Sequence, residues 1–160
     1  MSAFPFRLAR AAAAIVGVTG ALVVVAAGSG AAADPGGRPL TAVLTGAAEV
    51  NAAGVPNQGD PDGAGTARIT VNPGLNVVCW DITVTGIATP TRGHIHQAPV
   101  GVNGPIVVEF FEAADGPVLQ GCTTPTGTTA QEILRNPAGF YVNVHNADFP
   151  AGALRGQLST

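Results

Sequence analysis

The chain has 160 residues, 46% hydrophobic but only 11% charged, with seven basic residues, all Arg, against ten Asp plus Glu. A formal net charge of −3 supplies no basic footprint for phosphates, which argues against a nucleic-acid partner. Two cysteines and three histidines make up the scarce chemistry-bearing side chains.

The N-terminus carries Arg7 and Arg10 and then no charge until Asp34, the layout of a secretory signal peptide. Its apolar part, Ala11 to Ala27, is short and Ala/Gly-rich for a permanent span, and Ala31-Ala32-Ala33 offers a small-residue cleavage pattern. Residues 1–33 are therefore expected to be removed, leaving a secreted chain with no membrane span. Its 127 residues fit one domain. Five Arg then face ten acids, a net charge of −5.

Asp34 to Pro39 reads as a flexible Pro/Gly lead, and residues 40–158 as the domain. Leu40 to Gly46 alternates Leu40, Ala42 and Leu44 against Thr41, Val43 and Thr45, a first strand. Ala52 to Gly65 is a long turn-rich connection. Gly65 to Val71 and Leu75 to Thr85 alternate on either side of Asn72-Pro73-Gly74, which predicts a hairpin. In the second arm Val78, Trp80, Ile82 and Val84 share one face, with Trp80 as a core anchor.

Gly93-His94-Ile95-His96 follows, then a Gly/Pro loop from Gln97 to Gly104, the apolar strand Ile106 to Phe111, and a turn over residues 113–116. Around Cys122 the chain is rich in Thr, Pro and Gly, so a bridge to Cys79 is expected to tie a loop to a strand. In an exported protein an isolated cysteine pair reads as a disulfide. With 42 residues between the cysteines, closing that loop is worth roughly 4 kcal/mol. Thr129 to Asn136 is the single helical piece, with a Thr cap, Glu132 in the first turn and Asn136-Pro137 as the stop. Gly139 to Asn146 alternates Phe140, Val142 and Val144 against Tyr141, Asn143 and His145, and Ala153 to Leu158 is the last strand. Seven to eight short strands between Gly/Pro turns predict an all-β, antiparallel, Greek-key-like sandwich or barrel with one short helix near 129–136.

Residues two apart on a strand share a face, so His94 and His96 project together. By the same parity Tyr141, Asn143 and His145 group on one strand, and Arg155 and Gln157 on another. On neighbouring strands in register these would form one cluster of three imidazoles, a phenol, an amide and a guanidinium. Three neutral imidazoles around one point suit zinc or copper. The competing reading is a solvent-facing strand, polar by default, whose histidines bond a neighbour or stack on Tyr141. Nucleophilic catalysis has little to draw on: there is no G-x-S-x-G elbow, and Ser159 is the one serine beyond the leader. Glu109, Glu112 and Asp115 read as an exposed edge and turn.

Four ordered stretches carry a family resemblance: Gly93-His94-Ile95-His96; Gly101 to Val108 (GVNGPIVV); Asn136-Pro137 with Phe140 to His145; and Pro150 to Leu158 (PAGALRGQL). Together they resemble the CHRD (chordin-type) domain of secreted bacterial proteins. The resemblance implies an extracellular all-β module, found alone in bacteria and repeated in chordin, where the surrounding protein antagonises secreted growth factors. A fainter similarity, Thr85-Gly86-Ile87 followed by Gly93-His94-Ile95-His96, is to the segment of copper-zinc superoxide dismutases that presents two copper-binding histidines. No histidine occupies the 48 residues after His96, so only a reduced, three-histidine site can be built. The expectation is a secreted, monomeric, non-catalytic module requiring no cofactor, its partner an extracellular protein or envelope component. The alternative is a copper or zinc protein using His94, His96 and His145.

Overall fold

The computed structural model describes residues 36–112 and 119–160. The leader and the turn expected at 113–116 lie outside these residues. Eight strands form one antiparallel sheet: β1 Arg38–Thr45, β2 Ala64–Asn72, β3 Val77–Thr85, β4 Pro90–Gln97, β5 Ile106–Phe111, β6 Gln120–Thr123, β7 Phe140–Asn146 and β8 Leu154–Gln157. Their spatial order is β5-β4-β7-β8-β1-β2-β3-β6, so the first and last strands of the chain are neighbours.

The sheet curls into a nearly closed barrel. Its two edges, β5 and β6, are joined by the segment after β6, where the Thr126 and Gly127 N–H groups both donate to the Val107 carbonyl on β5. Stacking of Trp80 on Phe110, with ring centroids 4.7 Å apart, packs β3 against β5 across the same seam. The expected parities hold: Leu40, Ala42 and Leu44, then Ala67, Ile69 and Val71, then Val78, Trp80 and Ile82 all point into the barrel with Phe140, Val142, Val144 and Leu154.

The hairpin at Asn72 to Gly74 is present, with β2 and β3 paired over nine positions. The helix α1, Ala130–Arg135, carries a complete capping box between Thr129 and Glu132 and buries Ala130 and Ile133. One expectation is corrected. Cys122 is not in a loop but on β6, directly opposite Cys79 on β3, and the two are disulfide-bonded. The Thr/Pro/Gly composition concealed a strand of four residues, because the cross-strand bond and the β3 ladder supply what a weak strand sequence does not. β1 also starts at Arg38, inside the stretch read as the lead.

Candidate metal centre

Strands β4, β7 and β8 lie side by side, and their pairing sets a grid. His94 stands opposite Asn143, which stands opposite Arg155; His96 faces Tyr141, which faces Gln157; Arg92 faces His145. The parity argument therefore brings all the singled-out side chains, His94, His96, His145, Tyr141, Asn143, Arg155 and Gln157, to the outer face of one three-stranded segment.

That face is not turned to solvent, which corrects the reading of a water-exposed polar strand. His94 is 1% exposed, Arg155 2%, Asn143 3% and His145 6%, and every residue of β7 is buried. Two loops cover it. Arg155 donates to the Asn103 side-chain oxygen and to the Pro99 and Val102 carbonyls at 2.7–3.2 Å. Gln157 donates to the Ala98 carbonyl, and the Tyr141 hydroxyl accepts from the Gly104 N–H. Asn103 in turn donates to the Val50 and Asn51 carbonyls, joining the loop after β4 to the loop after β1. Gly104 permits the close approach: a Cβ there would fall 2.0 Å from the Gln97 carbonyl oxygen. The barrel thus has an apolar core inside and, on one side, a second polar layer.

Within that layer one nitrogen from each of His94, His96 and His145 lies within 4.8 Å of the others. One nitrogen of each ring faces a pure acceptor. His96 Nδ1 donates to the Gly104 carbonyl at 2.9 Å, His145 Nδ1 to the Pro150 carbonyl at 3.1 Å, and His94 Nε2 to the Glu112 carboxylate at 3.1 Å. Assigned from those acceptors, neutral His96 and His145 carry lone pairs on Nε2, and a neutral His94 would carry one on Nδ1.

Two of these lone pairs, on His94 Nδ1 and His145 Nε2, meet at 3.3 Å, a repulsive contact unless a proton or a cation lies between them. The third, on His96 Nε2, is buried with no partner. Two nitrogens bound tetrahedrally to one zinc or copper at about 2.0–2.1 Å stand roughly 3.3 Å apart, so the observed edge fits a shared ion. Carbonyls and a carboxylate behind the rings are the usual outer support of metal-binding imidazoles.

Burial, then the neighbouring His94, pushes the His145 imidazole down to about 4, and burial lowers His96. Both rings are therefore neutral donors near neutral pH. Tyr141 stacks on His96 with centroids 4.9 Å apart and planes 6° apart, and the Arg155 guanidinium lies 3.5 Å from the Tyr141 centroid. The stack fixes the His96 ring plane and supplies the aromatic contact that the alternative reading anticipated.

Glu49, which periodicity could not flag, is the further member of the layer. It is 3% exposed, accepts from Asn143 Nδ2, and burial pushes its carboxyl up to about 7 against the attraction of Arg155. Gly152, at φ +148°, makes room for it; a Cβ there would fall 2.5 Å from Glu49 Oε1. Glu112, read as an exposed edge residue, is half-exposed but holds His94. Asp115 lies outside the described residues. Ser159 pairs with Thr41 in the middle of β1 rather than with any histidine.

Barrel and polar layer together define a small antiparallel β module with its candidate site on an outer sheet face. The chain belongs to the CHRD domain family, whose model matches residues 40–158. Comparison with curated proteins and with solved structures returned no match.

Proposed function

We propose that this CHRD-family module is exported and serves outside the cytoplasm as a copper- or zinc-binding protein, with His94, His96 and His145 as the ligands. The supporting observation is the convergence of one nitrogen from each of the three histidines, with His96 Nε2 buried without a partner and the other nitrogen pairings held by acceptors. Hydrogen bonding accounts for one nitrogen of each ring, and a proton on His94 Nδ1 would account for its contact with His145 Nε2, but the buried His96 Nε2 is left without a partner.

Titrating residues 34–160 with Cu²⁺ and Zn²⁺ tests this. A dissociation constant tighter than about 10 µM, roughly −7 kcal/mol, is expected, with a loss of about a hundredfold in His96→Ala. Binding unchanged in His96→Ala and His145→Ala would rule the site out.

A second reading, a macromolecular or envelope partner, is favoured by one observation. Val55, Val100 and Val102 on the two covering loops are 49%, 76% and 49% exposed. Val100→Glu and Val102→Glu are expected to abolish retention by purified cell envelope while leaving metal affinity intact; full retention in both would remove this surface from consideration.

A further inference from the structure

The three-histidine reading leaves a tetrahedral ion one ligand short. Closed structural sites have four protein ligands, whereas three leave a position for solvent or an exogenous ligand. Among the described residues, the groups with donor atoms converging around His94 are the other two histidines on one side and Glu109 with Glu112 on the other. The carboxylates belong to the Nε2 side, where Glu112 already holds the ring.

Directly across from His94 on the next strand stands Asn143, two residues before His145 and on the same strand face. Asn143 is 3% exposed, and its amide is oriented from one end only: Nδ2 donates to Glu49. Oδ1, at the other end, is buried and has no hydrogen-bond partner. A buried amide oxygen without a donor costs on the order of 1–3 kcal/mol, and the layer contains an orphaned His96 Nε2 as well. One lone pair asks for a cation and the other for a hydrogen-bond donor. A water molecule on the ion satisfies both.

Resting on the metal reading of the site, we propose that the ion held by His94, His96 and His145 keeps one exchangeable position, and that Asn143 Oδ1 selects a proton-bearing ligand, water, over a small anion for it. Asn143 is a positioning residue: it accepts a hydrogen bond from the ligand and does not bind the ion. Glu49 keeps the amide the right way round. An anion such as azide offers Oδ1 no proton and enters against two lone pairs, so it should bind weakly in the native protein and more strongly where the acceptor is removed.

The experiment uses the Cu²⁺-loaded protein of residues 34–160. Solvent-proton relaxation detects exchangeable water on the ion, and azide titration followed by electron paramagnetic resonance and absorption detects its replacement. The native protein should enhance relaxation beyond an outer-sphere background and bind azide. Asn143→Leu should tighten azide about tenfold and slow recovery of the water signal on dialysis. Asn143→Asp, which keeps acceptor oxygens and adds charge, should weaken azide; it serves alone if the Leu variant does not fold.

Failure to bind Cu²⁺ would overturn the metal reading and this inference with it. Tight Cu²⁺ binding with neither relaxation enhancement nor an azide response would leave the metal site standing and overturn the open position. An azide affinity unmoved in the folded variants would overturn the role of Asn143.

Discussion

Glu49 sets the pH behaviour of the metal-free fold at the level of a single side chain. Its folded carboxyl sits at about 7 against an ordinary 4.5, so the folded state holds a proton that the unfolded chain releases. Stability from this group is full below about 4.5 and declines as pH rises through 7. At about 1.4 kcal/mol per pH unit the decline approaches roughly 3 kcal/mol. His145 works in the other direction: lowered to about 4, it contributes above 6.5 and loses its contribution as pH falls towards 4. The two slopes oppose each other between about 4.5 and 6.5, and only the Glu49 slope remains from there until its folded carboxyl ionises around 7, above which neither group adds a slope. Urea denaturation of Glu49→Gln is expected to show stability rising from pH 4 to 6.5 and then level; a variant still losing stability between pH 6.5 and 8 would refute the assignment. The histidines and their neighbours were legible in the sequence because strand parity and scarcity single them out. Glu49 and the Gly104 and Pro150 carbonyls were not, since they come from loops, where periodicity carries no information.

Among the elements, β8 has four residues yet holds the polar layer in place. One Arg155 fork reaches three acceptors on the 98–104 loop, which an ammonium cannot match from a single stem. Arg155→Lys is expected to cost about 2–3 kcal/mol and to speed amide exchange at Gly104, whose carbonyl orients His96. Unchanged protection at Gly104 would show that the loop stands without Arg155.

β6 is equally short and depends on its cystine. Replacing both Cys79 and Cys122 by Ala should destabilise by about 3–4 kcal/mol in chemical denaturation. The long alternating strands β1, β2, β3 and β7 could be read directly, as could α1 from its cap. β6 could not, because four residues give too few alternations and its partner lies 43 positions away.

At the scale of the whole molecule, closure protects the edges. An open sheet would expose unpaired backbone on β5 and β6 to other chains, and the Thr126 and Gly127 N–H groups fill part of that gap at Val107. Thr126→Pro removes one donor; it is expected to raise the share of higher assemblies in sedimentation, whereas an unchanged assembly state at all concentrations would mean that the Gly127 bond and the Trp80–Phe110 stack suffice to hold the seam. Barrel class followed from strand count and turn spacing. That the outer face of β4, β7 and β8 is buried did not, because burial there depends on two loops that meet only in the folded chain.

The adjacency of the first and last strands bears on the order of assembly. Thr41 and Ser159 exchange backbone hydrogen bonds across 118 positions, and Arg155 and Gln157, which seat the cover over the histidines, lie on β8, after the other seven strands in sequence. Such distant pairings close late and slowly, on millisecond to second timescales. A chain synthesised only as far as β6 has His94 and His96 but neither their partner His145 nor the strand that holds the cover. The histidine pocket is therefore a product of completed folding, and whatever ligand it takes would meet it only once β7 and β8 are in place.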